Sequence, residues 1–439
     1  MVSTLPRDRS LTELADELDL EFFLVSYTDL LGGTRAKLVP ASQIAAVEKD
    51  GACFAPFASN LGLGPDAHDI AAIPDINSLI VLPWQPTVGW LASDVYLDGE
   101  PYQASPRVIL KKVLKQAAEM GYAYKTGVEA EFFLLKQTEA GYEVADSKDT
   151  ASRPCYDQLN LMRQFDIIST LARNMESLGW GPYQCDHEDA NGQFELNWTY
   201  DDALVTADRH VFFKYMVKTL AEQQGLVATF MPKPFSHLTG NGAHIHMSLW
   251  NGETNVFASG SDELGLSDIA YEFLGGVLSH ARGLSALCSP TVTSYKRLAS
   301  SDSVSGSTWA PHYISYGGNN RTHMIRIPDK GRFECRLVDG AVNLYLAEAA
   351  LLAAGLDGMK NHLKPGDRID ENMYVRGSEF DRPTLPTNLF EGLKCLEADA
   401  LMMEVLGSAA PIFFDFKYKE WNAYNAAISP WELEQYMNC

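Results

Sequence analysis

"TGVEAEFFLL" (residues 126–135) sets two carboxylates, Glu129 and Glu131, one residue apart in an otherwise apolar run. In an extended chain alternate side chains share a face. Glu129 and Glu131 therefore point the same way as Gly127 and Phe133, while Val128, Ala130 and Phe132 turn to the other side. Two adjacent carboxylates on a mostly buried strand repel each other unless a cation or protons intervene. Taken alone, such a pair is most often solvated on an exposed edge strand. The rest of the chain has to decide between the two readings.

Three further stretches repeat the pattern. "GNGAHIHMSLW" (240–250) puts His244 and His246 on one face of a strand and Ile245 and Met247 on the other. "GRFECRLVDG" (331–340) alternates Arg332, Glu334 and Arg336 against Phe333 and Cys335. "DHEDANGQFELNW" (186–198) supplies Glu188 and Glu195 around a turn at Asn191-Gly192. Singly, each has a plain reading: a surface or core histidine pair, a salt-bridged outer face, two solvated acids. Together they describe a sheet lining a polar cavity, charged on one face and apolar on the other. Many carboxylates with one or two imidazoles suit Mg²⁺ or Mn²⁺ better than Zn²⁺, and two carboxylate groups suggest two metals. A zinc hydrolase built on His244 and His246 is disfavoured by that excess of Glu. Arg321, Arg326, Arg332 and Arg336 lie within 16 residues, and planar guanidinium forks match phosphate oxygens. Metals with an arginine cluster point to phosphoryl transfer from a nucleoside triphosphate.

Composition narrows the class. The 439 residues suffice for two or more domains and a large core. With 35 Lys and Arg against 57 Asp and Glu, the formal charge is −22, a poor match to nucleic acid or an anionic membrane. Seven scattered cysteines, never spaced C-x-x-C, fit reduced thiols rather than a disulfide framework. No run of about 18 apolar residues occurs, and the N-terminus lacks the apolar core of a signal peptide. A soluble, cytoplasmic protein is expected, with a surface helix capped by a Ser10–Glu13 box.

Residues 21–39 read as a hairpin turning at Gly32-Gly33, with further strands at 78–84 and 89–97. From residue 105 the pattern becomes helical: Ser105 as a cap, Pro106 in the first turn, and Leu110, Val113, Leu114 and Ala117 as an apolar stripe ending at Gly121. A boundary near 104 divides a small β-rich part (1–104) from a larger part (105–439) with long helices at 203–224 and 342–362. "GLGPDA" (62–67) matches a dinucleotide fingerprint only formally, since a proline interrupts it and no helix pattern follows. No P-loop pattern occurs.

The ordered motifs G-V-E-A-E-F-F, H-E-(x6)-E, G-N-G-A-H-I-H-M-S-L, K-R-L, N-N-R-T-H-M-I-R-I-P and R-F-E-C-R resemble those of the glutamine synthetase family over most of 105–439. The resemblance implies an α+β fold: a small N-terminal β-grasp domain, and a catalytic domain with a curved antiparallel sheet flanked by helices. It implies ATP as co-substrate, two or more Mg²⁺ or Mn²⁺ ions, and a homo-oligomer. That assembly is expected to be a dodecamer of two stacked hexameric rings with active sites between subunits. By motif position, Glu131, Glu188 and Glu195 resemble the ligands of one metal, and Glu129, His244 and Glu334 those of the other. Arg297 and Gly240 match the glutamate site, and Arg321 and Arg326 the phosphate contacts. His246, Ser248 and Arg332 match the nucleotide side, and Arg336 lies near the transferred phosphoryl group. The implied reaction makes γ-glutamyl phosphate from glutamate and ATP, and an amine then displaces phosphate.

Two departures bear on the amine. Where the family pattern F-D-G-S-S carries an Asp, "CFAPFAS" has Ala55; the partner acid survives as Asp69. The flap "KRLASSDSVSGSTWAP" is six residues longer than the usual pattern and has Trp309, not Glu, before Ala310-Pro311. Asp302 could substitute for the missing acid. Fewer acids and an added aromatic ring make the acceptor pocket less suited to ammonium and more to a substituted amine. The flap also resembles the branch that includes γ-glutamylmethylamide synthetase, so methylamine is the expected acceptor, with Asp69 helping to deprotonate it. Ammonia and polyamines are the rival acceptors, and an inactive structural homologue is the non-enzymatic alternative. Tyr374, in "ENMYVRG", lies near where some relatives carry a modifiable tyrosine; its surroundings differ, and no modification is expected.

Overall fold

The run "EFFLVSYTD" forms strand β1 (Phe22–Thr28), which turns through Gly32-Gly33 into β2 (Thr34–Pro40), the expected hairpin. The computed structural model describes residues 9–299 and 303–439, so Asp302 lies outside the described residues. Strands β3 (Ala52–Phe54), β4 (Ile70–Pro74), β5 (Ile80–Leu82), β6 (Gln85–Leu97) and β7 (Glu100–Pro101) complete the first sheet. Its order is β2-β1-β6-β4-β3, with β5 and β7 also on β6. The β1–β6 pair is parallel and the others antiparallel, as a β-grasp sheet requires. Strand β6 starts earlier than the alternation at 89–97 suggests, and β5 is shorter than 78–84 because a 3-10 turn occupies Ile76–Ser78. The short helix Leu11–Glu17 carries the Ser10–Glu13 capping box.

The second sheet holds the charged stretches. Its strands are β8 (Ala123–Thr138), β9 (Gly141–Val144), β10 (Pro182–His187), β11 (Gln193–Trp198), β12 (Asp201–Asp202), β13 (Val227–Thr229), β14 (Ala243–Asn251), β15 (Thr254–Asn255), β16 (Tyr316–Gly317), β17 (Ile325–Asp329) and β18 (Arg332–Cys335). They run β10-β11-β8-β14-β18-β17-β16, antiparallel apart from β16–β17. One face is apolar: Val128, Ala130, Phe132, Ile245, Met247, Phe333 and Cys335 are buried in the main core. The helices Pro106–Glu119, Ala203–Gln223 and Leu344–Lys360 contribute to the same core. The last of these is apolar nearly all round, as a fully buried helix should be. Gly276 and Gly358 let it cross Asp268–Ser279 closely; a Cβ on Gly276 would sit 2.0 Å from the Ala354 carbonyl oxygen.

Helix Pro106–Glu119 starts as expected at Pro106, but Ser105 makes no side-chain cap bond. Its buried face includes Arg107, which no apolar stripe reveals. Arg107 is bidentate to Asp208 at 3.0 and 2.9 Å, and also reaches Asp94 at 2.7 Å and Asp75 at 2.8 Å. This network ties the first sheet to the helix Ala203–Gln223. The N-terminal part has its own core around Phe23, Val25, Ile70 and Leu91, while Leu30, Leu82, Trp90 and Ala104 join the main one. All seven cysteines are free, and no helix among the described residues is long and apolar enough to cross a membrane.

Candidate active site

The strand register gathers the charged side chains. Glu129 on β8 lies opposite His244 on β14, and Glu131 lies opposite Glu195 on β11. On the far side of β14, His246 pairs with Glu334 on β18, which in turn pairs with Arg326 on β17. The opening puzzle is thereby resolved: Glu129 and Glu131 face a row of acids, imidazoles and guanidiniums, not solvent. The face becomes apolar beyond them, where Phe133 packs with Leu135, Ala190 and Leu238.

Among the described residues, potential ligand atoms within 4.8 Å of one another form three groups: Glu129, Glu195 and His244; Glu129, His246 and Glu334; and Asp186, Glu188 and Glu195. The grouping differs from that expected by motif. His246 joins the acids, its Nε2 2.9 Å from Glu129 Oε1, while Arg332 donates to His246 Nδ1 at 3.3 Å. Glu131 accepts from Gln193 Nε2 at 2.9 Å and from the Gly242 N–H at 2.8 Å. Asp186 is an acid missing from the motif-based set. It sits near the end of β10, directly opposite Glu195 on β11, and that cross-strand pairing brings it to the acids.

The electrostatics of the cluster are divided. Burial alone would raise Glu129, yet His246 and His244 hold it well below the usual carboxylate range. Burial likewise opposes ionisation of Glu334, but Arg336 and His244 bring it down to about 2. Glu188 is the opposite case: burial, with Glu131 and Asp186 beside it, pushes it up to about 8. Burial and the neighbouring Glu129 and Glu188 raise Glu195 well above its usual value, and Asp186 is raised chiefly by burial. Three neighbouring acids with too few cations around them offer oxygen ligands that suit a hard divalent ion.

Around this centre lie the other expected residues. Arg336 donates to Glu334 at 2.5 Å and to the Trp309 carbonyl at 3.1 Å. Arg326 donates to Glu334 at 2.8 Å. Arg321 is exposed, and its carbonyl accepts from the Tyr374 hydroxyl at 3.3 Å. Arg297 is buried, anchored on the Leu337 and Arg336 carbonyls at 3.3 and 3.2 Å, and lies 3.5 Å from His244 Nε2. Gly240 backs onto it; a Cβ there would meet the Pro232 carbonyl oxygen at 2.2 Å and Arg297 Cγ at 3.2 Å. Trp309 closes the described flap with φ +53, a strained value for a bulky residue of the kind that clusters at functional sites. Glu129, His246, Ser248 and Arg332 line a cavity of about 480 Å³ together with Lys125, Tyr183, Tyr200 and Trp250, which the motifs did not point to. One expected residue stands apart. Asp69 is exposed on the first sheet, directly before β4.

The model of the "Glutamine synthetase, catalytic domain" family matches residues 103–436. The chain belongs to the glutamine synthetase family. It is 50% identical over 428 residues to a glutamine synthetase of Rhizobium meliloti (strain 1021), covering 96% of this chain and 98% of that one. It is 43% identical over 429 residues to a glutamate–methylamine ligase of Methyloversatilis universalis, covering 96% and 97%. A solved structure named "GmaS/ADP complex-Conformation 1" superposes with a TM-score of 0.95 at 55% identity, over 98% of this chain and 100% of the other. "Apo GmaS without ligand" gives 0.93 at 54%, with the same coverage. Membership of the glutamine synthetase family makes the protein an ATP-dependent ligase that joins glutamate to ammonia or an amine. Use of ATP and divalent metals is general to that family.

Proposed function

We propose that the protein ligates L-glutamate and methylamine to γ-glutamylmethylamide, consuming ATP and releasing ADP and phosphate. The observation that carries this reading is Ala55. Strands β3 and β4 pair up to Phe54–Ile70, which leaves Ala55 and Asp69 side by side and exposed at the end of that pair. One acid remains where the family's ammonium site has two, and on the flap Trp309 replaces another. A pocket that has lost carboxylates and gained an indole favours a methyl-bearing amine. The glutamate–methylamine ligase at 43% identity and the GmaS structures at 54–55% support the same acceptor. Ammonia is the second reading, because relatives at 50% and 49% identity are named glutamine synthetases.

In this reading Glu129, Glu131, Glu188, Glu195, His244 and Glu334, joined by Asp186, hold Mg²⁺ or Mn²⁺. Bound there, such ions would supply positive charge against the phosphates and the transferred group. His246, Ser248 and Arg332 bind the nucleotide along the 480 Å³ cavity. Arg297, with the loop at Gly240, holds the glutamate α-carboxylate, and Arg321, Arg326 and Arg336 contact the phosphoryl group. Trp309 forms the apolar wall beside the acceptor. The acid that takes the amine proton in this reading is Asp69, supplied by a neighbouring subunit. The exposed Ile428, Trp431, Leu433, Tyr436 and Met437 suit a contact between subunits, and the assembly in this reading is the dodecamer of two stacked hexameric rings that the family resemblance implies. The boundary near residue 104 belongs to the same reading, with residues 1–104 supplying the acceptor side and 105–439 the metals and ATP.

The test is kcat/KM for ammonium, methylamine, ethylamine and putrescine at fixed ATP and glutamate. Methylamine is expected first, ahead of ammonium by roughly 10–200-fold, the range one methyl in an apolar pocket supports. Ala55→Asp should shift the ratio toward ammonium. Ammonium in first place would make the protein an ordinary glutamine synthetase, and putrescine a polyamine enzyme.

A further inference from the structure

Asp189 is a buried carboxylate that neither the metal grouping nor the motifs account for. It follows Glu188 in the turn between β10 and β11, and its side chain bonds to two other parts of the site. Its Oδ2 accepts from Thr239 Oγ1 at 2.5 Å and from Ser305 Oγ. Thr239 immediately precedes Gly240, which packs on Arg297. Ser305 lies in the flap, where Ser303 and Ser305 share a hydroxyl contact at 2.8 Å and the Gly306 N–H donates to Ser303. A second contact holds the same flap to the same loop: the Val304 N–H donates to the His237 carbonyl at 3.1 Å. At its other end the flap is fixed by Arg336 on the Trp309 carbonyl.

We infer that Asp189 is a positioning residue that fastens the flap to the loop 236–242, and so encloses the glutamate subsite. A carboxylate suits this task because it has no proton of its own to place, so one oxygen can accept from two hydroxyls on different elements. Such bonds to an ionised acceptor are stronger than those between neutral groups. With both hydroxyls bound, the segment that carries Trp309 and the loop that backs Arg297 are set relative to each other before glutamate enters. The consequence is chemical as well as structural. An acyl phosphate left open to solvent is attacked by water at the γ-carbonyl carbon. The carbon–oxygen bond to phosphate then breaks, and glutamate and phosphate are released with no amide formed. A fastened flap suppresses that loss. The inference rests on the acyl-phosphate chemistry of the family and not on the identity of the amine.

The experiment compares Ser305→Ala, Ser305→Thr, Asp189→Asn and the Ser305→Ala/Asp189→Asn double variant in the full-length protein. Two quantities are read: the KM values for glutamate and ATP in amide synthesis with the best amine, and glutamate-dependent ADP release with no amine present. Ser305→Ala is expected to raise the glutamate KM about tenfold, the loss of one charge-assisted bond, with the ATP KM unchanged. Amine-free ADP release should rise relative to synthesis. Ser305→Thr, which keeps the hydroxyl, should behave as wild type. The double variant should be no worse than Asp189→Asn alone. Wild-type glutamate KM and leak in Ser305→Ala, equal damage in Ser305→Thr, or multiplied effects in the double variant would each overturn the inference. If Asp189→Asn does not fold, the Ser305 pair still decides. A failure of the methylamine reading would leave the amine-free result untouched.

Discussion

Glu129 sits between two imidazoles and is held ionised, whereas Glu188 and Glu195, a few ångströms away, are pushed toward protonation. Divalent ions bound among these acids should therefore stabilise the fold, because ligand binding to the native state adds to its stability. The melting temperature of the protein is expected to rise with added Mn²⁺ or Mg²⁺. Glu129→Ala should lose both the rise and all ATP-dependent synthesis while melting near the metal-free wild-type value; Glu334→Ala should lose the same two and also melt lower, because it leaves the buried Arg336 without its carboxylate. Near-normal turnover in either variant would remove these residues from the metal site. Arg297→Ala should act on glutamate instead. A bidentate guanidinium–carboxylate contact is worth roughly 1.5–3 kcal/mol, about one to two decades in affinity. Lysine cannot reproduce the fork, so Arg297→Lys should recover only part of the loss. A fall in ATP affinity with glutamate unchanged would show the role to be misassigned.

At the scale of elements, much was legible in sequence because charged and apolar residues alternate at period two on β8, β14 and β18, and that pattern survives folding. The rule ended with the strand. Strand β10 stops at His187, so Glu188 and Asp189 lie in a turn where neighbours no longer take opposite faces, and their separate roles could not be read. Asp186, still on the strand, reaches the acids by its pairing opposite Glu195, which no spacing along the chain marks. Arg107 was not legible at all, because the acids that bury it come from residues 75, 94 and 208, which no local pattern connects. Removing it should leave buried carboxylates uncompensated. Arg107→Ala is expected to cost about 3–5 kcal/mol, read from chemical denaturation, with little change in the glutamate KM of the folded fraction. His280 gives the corresponding pH effect. The Asp399 carboxylate, seconded by Asp357, raises its pKa against the opposing effect of burial. A raised imidazole pKa contributes stability in full below its ordinary value of about 6.5 and loses it as pH climbs through the folded value. Wild type should thus exceed His280→Gln most at about pH 6, and the gap should shrink in alkaline buffer. A gap that widens with pH would reverse the assignment.

For the whole molecule, two sheets divide the work proposed here. The second gathers metals, nucleotide and glutamate, and the first presents Ala55 and Asp69 outward at the end of the β3–β4 pair. Family membership was readable from six ordered motifs, because catalytic residues keep their spacing along strands. The proposed acceptor amine rests instead on single substitutions, Ala55 at the end of β3 and Trp309 in the flap, which no pattern along a strand predicts. Asp69→Ala should accordingly weaken use of every amine while sparing amine-free ADP release. The most direct measurement is a competition: one reaction with ATP, γ-carboxyl-¹⁸O glutamate and equal concentrations of ammonium and methylamine, analysed by mass spectrometry. The expected result is γ-glutamylmethylamide as the dominant product, with one labelled oxygen transferred to the released phosphate. Glutamine as the dominant product would contradict the acceptor assignment, and unlabelled phosphate would contradict the acyl-phosphate route on which the account depends.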